Sequence, residues 1–332
     1  MIKVGIVGCG RIAEAHLNAL SALKDNFTVA AIFDIDKGRA KCLSDKFGVN
    51  VERNLENLLN DAEINLISVT VPDGFHYEVV KKAIRSNKNV LVEKPVALSL
   101  EQAEELIHLA NDNKIFLGVV LQKRLFSIFR KAKEVVERGE IGEVFLVLFQ
   151  QIWYRDDNYF SSSWHGKKTM DGGLILNQSI HNIDLIDWIV GPIEKVTAYG
   201  GKVVKKRIET EDTVASLLKI PHGVGSISFT ISAYPGNYGD LFEIFGDKGK
   251  IVIGTGSFSE LTSDKFKSGI KELENSTLSG YGHKLVYEEV YDRIINGKSV
   301  DIDVNNVYHS YKVAFGIRES IETGKEVIIG GR

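Results

Sequence analysis

Apolar residues along this chain follow two rhythms. From Ile2 to about Gly118, short and almost continuously apolar runs alternate with stretches of helical spacing. The runs Ile2–Val7, 28–33, 64–71 and Asn89–Val92 leave no position for a wet face, which predicts parallel strands covered on both sides. Helical patterns follow the first three: one through Leu17 and Leu20, one over Lys37–Phe47 and one over 77–85. Strand and helix in strict alternation predict a doubly wound parallel sheet. Beyond Gly118 the runs lengthen, at 144–154, 196–204, 213–219, 224–233, 240–246 and 250–253, with few turns between them. These predict one large open sheet, mostly antiparallel, with helices on one face. Two further helical patterns cover 284–295 and Val304–Thr323, and Gly324 is the stop signal of the second. The expected fold class is α/β, with a parallel-sheet domain over residues 1–120 and an α+β domain over residues 121–332.

Size and charge narrow the classes of partner. A chain of 332 residues with 44% hydrophobic content can bury two cores of ordinary size. Its 41 basic and 44 acidic side chains, with a formal charge of -3, are spread without long blocks, so neither nucleic acid nor an anionic membrane is expected as partner. No window approaches the ~20 consecutive apolar residues of a membrane span. Met1 runs straight into the first strand without a signal-peptide pattern, so a cytoplasmic location and a small-molecule partner are expected. Cys9 and Cys42 are too few for a disulfide framework and are not in a metal-ligand spacing.

The first strand ends at Gly8-Cys9-Gly10-Arg11-Ile12-Ala13, which opens a helix. Strand, glycine turn and helix suit a pyrophosphate: Gly8 allows the tight turn, Gly10 lets a ligand approach the backbone, and Ala13 lets helix and strand pack. The N–H groups of the first helical turn, at Arg11 and Ile12, then face the phosphates. The second strand ends in Asp34, where a carboxylate can bind both ribose hydroxyls and repel a 2'-phosphate. This predicts a Rossmann domain that holds NAD in preference to NADP. Asp34 can equally cap the following helix, and Lys37 and Arg39 nearby weaken the preference.

The next two strands deliver Pro72-Asp73-Gly74-Phe75-His76 and Glu93-Lys94-Pro95 to the same sheet edge, so Pro72, His76, Glu93 and Lys94 are expected at the cofactor cleft. Proline restricts the residue before it and fixes how Lys94 leaves the strand. A lysine there can bind a substrate hydroxyl and stabilise alkoxide character as hydride leaves. The plainer alternative is an exposed Glu93 to Lys94 ion pair.

In this order and at these spacings, Gly8-x-Gly10-x-x-Ala13, Pro72-x-x-x-His76 and Glu93-Lys94-Pro95 resemble the Gfo/Idh/MocA family of sugar and polyol dehydrogenases. The segment Gly172-Gly173-Leu174-Ile175-Leu176-Asn177-Gln178-Ser179-Ile180-His181 resembles the family's second hallmark. At i and i+4, Asn177 and His181 are expected on one helix face. His181 can act as general base, since imidazole titrates near the working pH; its alternative is a core histidine satisfied by Asp184 or Asp187. Most of the family is expected to carry Asp where Asn177 stands. An amide cannot transfer a proton, so Asn177 is expected to hold a substrate hydroxyl or orient His181.

Between these hallmarks lies an aromatic and charged loop that contains Trp153, Arg155, Tyr159, Trp164 and Asp171. Arg155 suits a carboxylate or phosphate, and the aromatic faces suit a sugar ring. This string resembles the branch that oxidises UDP-N-acetylglucosaminuronate at C3. The resemblance implies that Arg155, Tyr159 and Asn177 contact the sugar acid, Lys94 and His181 serve its hydroxyl, and His283, in Gly280-Tyr281-Gly282-His283, also lies near substrate. It further implies a homodimer or homotetramer through the C-terminal sheet. Two alternatives remain open at this point: a dehydrogenase of a free polyol or aldose, such as inositol or glucose, and a dinucleotide-binding sensor without catalysis.

Overall fold

The apolar runs of the first third become strands sealed on both faces. In the computed structural model, which describes residues 1–256 and 280–330, the chain divides into two units. One comprises Met1–Gln122 with a later stretch that ends at Val307; the other begins at Lys123 and includes the stretch from Tyr308. The first runs β1 (Ile2–Val7), α1 (Arg11–Ala22), β2 (Phe27–Phe33), α2 (Lys37–Phe47), β3 (Asn50–Val51), α3 (Leu55–Asn60), β4 (Leu66–Val69), α4 (His76–Arg85), β5 (Asn89–Val92), α5 (Leu100–Asp112) and β6 (Leu117–Val119). Its six strands pair in parallel in the order β3-β2-β1-β4-β5-β6. Strand order reverses between β1 and β4, which opens a crevice at their carboxyl ends, the usual ligand position in such sheets. β4 is shorter than the expected 64–71; just beyond it the Thr70 amide donates to the Val7 carbonyl at 2.8 Å and the Thr70 hydroxyl to the Gly8 carbonyl at 2.7 Å.

The second unit contains α6 (Ser127–Glu137), β7 (Val144–Ile152), α7 (Ile180–Val190), β8 (Lys195–Gly201), β9 (Thr213–Ile220), β10 (Gly223–Thr230), β11 (Gly239–Gly246) and β12 (Gly249–Gly254). The chain then forms α8 (Tyr281–Asn296), α9 (Val304–Thr323) and β13 (Val327–Ile328). The seven-stranded sheet has the order β12-β11-β7-β10-β9-β8-β13 and is antiparallel except where β10 pairs with β7. β9 alternates strictly, with Val214, Leu218 and Ile220 buried and Leu217 exposed. On the inner face Phe149 packs against its register partner Phe242, at 4.8 Å between ring centres, and against Phe229 of β10, at 6.0 Å. The outer face leaves Tyr199, Leu217 and Val224 exposed.

The observed division departs from the expected 1–120 and 121–332 in one respect: α8, in a stretch read as part of the second domain, belongs to the first unit. Helical periodicity reports an apolar face but not which core that face joins. The two-residue β13 was likewise too short to register.

α7 is buried nearly all round, so its polar side chains need dedicated partners. Arg124 grips Asp184 with two bonds, Nε to Oδ2 at 2.7 Å and Nη2 to Oδ1 at 2.6 Å, and Ser310 donates to the same carboxylate at 2.7 Å. His309 Nδ1 meets Asp187 Oδ1 at 2.7 Å, and Lys123 donates to Asn182 Oδ1 at 2.6 Å. Removing one member of a buried pair leaves its partner's charge uncompensated. Asp184→Ala is therefore expected to destabilise the second unit by about 3–5 kcal/mol, read as a lowered urea midpoint; a change within about 0.5 kcal/mol, as for an ordinary surface substitution, would contradict it.

Candidate active site

At the end of β1 the backbone meets the requirements of a dinucleotide turn. Gly8 has φ +101°, and a Cβ there would lie 2.7 Å from the backbone of Thr70. Gly10 faces open space and begins α1 without a side-chain cap, so the N–H groups of the first turn, including the exposed Arg11 and Ile12, are left to a ligand. Ala13 is fully buried against the sheet.

Asp34 is fixed beside this turn. Its Oδ2 accepts from the Cys9 amide at 2.6 Å and its Oδ1 from the Asp36 amide at 2.7 Å. The cap of α2 is Asp36, which accepts from Gly38 and Arg39 amides, so the capping role considered for Asp34 falls to its neighbour. Arg39 also pairs with Asp36 at 3.3 Å. The Cys9 thiol is pushed up to about 12, first by burial and then by the Asp34 charge, which keeps it from acting as a thiolate.

Pro72 opens a short 3-10 turn over Asp73–Phe75. His76 is buried, with Nδ1 2.6 Å from the Pro95 carbonyl and Nε2 2.8 Å from the Val71 carbonyl. Both ring nitrogens are thus occupied by backbone, and His76 shapes the loop instead of reaching a ligand itself. Lys94 is half-buried at the end of β5, and its peptide bond to Pro95 is cis.

Glu93 is buried, not an exposed partner of Lys94. Its Oε1 lies 3.0 Å from His16 Nε2 and 2.9 Å from His283 Nε2. His16 Nδ1 lies 2.8 Å from the Tyr287 hydroxyl, which is 2.8 Å from Ser68 Oγ. Burial alone would raise the Glu93 carboxyl, but the two histidines overcome it and hold the group well below the usual carboxylate range. Burial lowers His16, and burial raises the Tyr287 phenol. His283, expected near substrate, is therefore engaged inside the first unit. His16, Tyr287 and Ser68 escaped the sequence reading. Among the described residues, His16, Glu93 and His283 are also the one group with metal-ligand atoms in proximity. Each of those atoms already takes part in a hydrogen bond to or from Glu93, so the cluster is satisfied as it stands.

In the second unit, Asn177 and His181 do not share one regular helix. Leu174–Gln178 form a single π-helical turn, closed by a Ser179 amide to Leu174 carbonyl bond of 2.9 Å, and α7 starts only at Ile180. The wider turn breaks the i to i+4 register assumed from sequence. Gly173, at φ +65°, begins the turn, and Asp171 secures it by accepting from the amides of Gly166 at 2.5 Å and Gly173 at 2.9 Å. Asn177 is buried and accepts from Gln178 Nε2 at 3.2 Å. Gln178, overlooked in the sequence, is the hub: it also donates to the Tyr159 hydroxyl at 2.7 Å and accepts from Arg155 Nε at 3.2 Å. The Arg155 guanidinium lies 4.8 Å from the ring centre of Trp153 and 5.6 Å from that of Tyr159. Arg155, Tyr159 and Asn177 thus meet in one network. The half-buried His181 follows on the first turn of α7. The two carboxylates considered as its core partners are held by Arg124 and Ser310, and by His309.

A family model described as an oxidoreductase family with an NAD-binding Rossmann fold matches residues 2–120, and the GFO/IDH/MocA C-terminal domain matches residues 129–252. The chain belongs to the Gfo/Idh/MocA oxidoreductase family. A crystal structure of the WlbA dehydrogenase from Bordetella pertussis, with NADH and UDP-GlcNAcA, superposes with a TM-score of 0.94 at 27% identity, covering 100% of this chain and 98% of that one. The WlbA dehydrogenase from Chromobacterium violaceum, with the same ligands, gives 0.90 at 28% identity over 98% and 95%. Myo-inositol 2-dehydrogenase from Thermotoga maritima is 28% identical over 75% of this chain and 74% of its own. This Gfo/Idh/MocA member is an NAD-dependent oxidoreductase, and its open glycine turn and anchored Asp34 fit the dinucleotide. No described helix is long and apolar enough to cross a membrane.

Asp34→Ala is expected to weaken NAD about 10-fold or more, the cost of bonds to a charged acceptor, while narrowing the gap to NADP; titration with both nucleotides checks it. A second expectation follows from the lowered His16 and Glu93. Below about pH 6.5 the unfolded chain takes up a proton at residue 16 that the folded protein refuses, so stability falls as pH falls. The Glu93 contribution, present above about pH 4.3, is lost as pH falls through its lower folded value. Thermal midpoints measured downward from pH 8 should show the first decline, and His16→Gln should flatten it.

Proposed function

We propose that this enzyme oxidises a hydroxyl of a UDP-linked sugar acid, C3 of UDP-N-acetylglucosaminuronate or a close relative, to the ketone. The observation that carries the reading is the orientation of Arg155 between Trp153 and Tyr159, tied through Gln178 to Asn177. A guanidinium held on two aromatic faces is prepared for a carboxylate. The two WlbA structures that bind UDP-GlcNAcA support the same substrate class.

NAD supplies the hydride acceptor when bound. In this reading the ammonium of Lys94 binds the reacting hydroxyl, and His181 takes its proton as hydride departs. Asn177, an amide, holds a neighbouring hydroxyl. Tyr159 helps fix the sugar acid. His283 leaves the substrate set, since it faces Glu93. The exposed Tyr199, Leu217 and Val224 support the assembly of this protein as a homodimer or homotetramer through its open sheet.

The identity to myo-inositol 2-dehydrogenase favours a second reading, the same chemistry on a free polyol. Under that reading the substrate carries no carboxylate for Arg155 to bind. NADH formation with UDP-N-acetylglucosaminuronate, UDP-N-acetylglucosamine, inositol and glucose separates the two. Arg155→Ala should cost about 10–100-fold in kcat/KM on the sugar acid and leave neutral sugars little changed; equal losses would remove the carboxylate role. His181→Ala should lower kcat about 10²–10⁴-fold with NAD affinity intact, and wild-type turnover would refute the base assignment.

A further inference from the structure

Both chain neighbours of Lys94 are held by histidines. Pro95 offers its carbonyl to His76 Nδ1 at 2.6 Å, and Glu93 takes His16 and His283 on one carboxylate oxygen at 3.0 and 2.9 Å. A carboxylate only accepts, so both imidazoles present Nε2–H to Glu93. A neutral His16 that donates from Nε2 must accept at Nδ1, so the Tyr287 hydroxyl donates there and in turn accepts from Ser68. Every proton in the chain from Ser68 to Glu93 then has one place, and no buried donor or acceptor of the set is left over.

We propose that His16, Glu93 and His283 form a clamp that positions Lys94 to bind the reacting hydroxyl, with His283 brought to it by the late return of the chain into the first unit. The three are positioning residues and touch no reactant. His283 lies 190 residues beyond Glu93, on the first turn of α8, while His16 comes from α1. Gly280, which precedes α8, has φ +73°, and a Cβ there would lie 2.8 Å from the Ala15 carbonyl. Only glycine allows α8 to begin that close to the residue next to His16. The carboxylate is thus gripped from two helices, which fixes the end of β5 and the backbone from which Lys94 extends. Misplacement of a reacting group by about 1 Å costs on the order of 10²-fold in rate.

The inference rests on the reading of Lys94 given above, and its test separates the two. His283→Leu removes the donor at similar bulk, whereas His283→Gln puts an amide N–H in the place of Nε2. With UDP-N-acetylglucosaminuronate, His283→Leu should lower kcat about 10–100-fold with the KM for NAD within about 2-fold, and His283→Gln should recover most of the loss. In a Glu93→Ala background, which removes the acceptor, His283→Leu should add little, as expected for residues that act through one contact. Should His283→Leu fail to fold, His283→Asn, whose shorter amide does not reach Glu93, carries the same comparison. Nitrogen NMR of the histidines in the protein without nucleotide should show protonated Nε2 at His16 and His283 and a bare Nδ1 at His16. The clamp is overturned by wild-type kcat in His283→Leu, by equal impairment in His283→Gln, by a proton on Nδ1 of His16, or by a tightly held metal ion at the three side chains. Lys94→Ala run alongside locates a failure: if it retains turnover, the reading of Lys94 falls, whereas its loss beside an unaffected His283→Leu rejects the clamp alone.

Discussion

An ionised carboxylate removed from water persists only where donors are aimed at it, and Glu93 imposes that condition on the whole first unit. Its donors come from α1 and α8, at opposite ends of the sequence. α1 therefore has two duties. Its first turn presents amides at the glycine turn, and His16 sits only four to five residues further on, about 6–7 Å along the axis at 1.5 Å per residue. The element that meets the phosphates is thus the element that holds the strand end before Lys94. A shift of α1 would disturb both, so cofactor binding and lysine placement share one rigid support.

The second unit answers a similar demand differently. α7 is buried on nearly every side, and each of its inward polar groups has its own partner: Lys123 for Asn182, Arg124 for Asp184, His309 for Asp187. Such pairs add little net stability over apolar packing but make any other rotation of the helix costly. That orientation is transmitted to His181 on its first turn. Regular geometry fails immediately upstream, where the π-helical turn changes the direction of Asn177 and leaves Gln178 to join it to Arg155 and Tyr159. π-turns are uncommon and concentrate at functional sites.

Features with local causes were legible in the sequence. Gly8, Gly10, Ala13 and Asp34 satisfy demands made within one strand-turn-helix unit, and β1, β2, β4 and β5 with α1, α2 and α4 follow from periodicity, whereas β3 and β6 are too short to register. What escaped depends on partners far along the chain. His16 reads as one more inward position of an amphipathic helix until Glu93, 77 residues on, is seen beside it. Tyr287 meets His16 across 271 residues. The Gly-His pair at 282–283 was visible, but its partner was not, so His283 was expected at the substrate. Gln178 was hidden for another reason: assumed α-helical spacing directed attention to Asn177 and His181, and a π-turn cannot be read from spacing. The assignment of α8 to the first unit belongs with these, since a helix pattern carries no address.

Proton accounting narrows the roles open to the polar side chains in the proposed reading. Oxidation of an alcohol releases a hydride and a proton, and the proton needs a group able to accept it. Asn177 cannot, being an amide. Glu93 is held ionised by two donors, and protonating it would weaken both bonds. The buried polar groups therefore serve by holding still, and in the proposed reading the proton falls to the half-buried His181, while the half-buried Lys94 binds the hydroxyl that releases it. Such an arrangement separates rigidity from reactivity: the residues that hold still within each unit are the ones that keep its proposed reacting side chain in place.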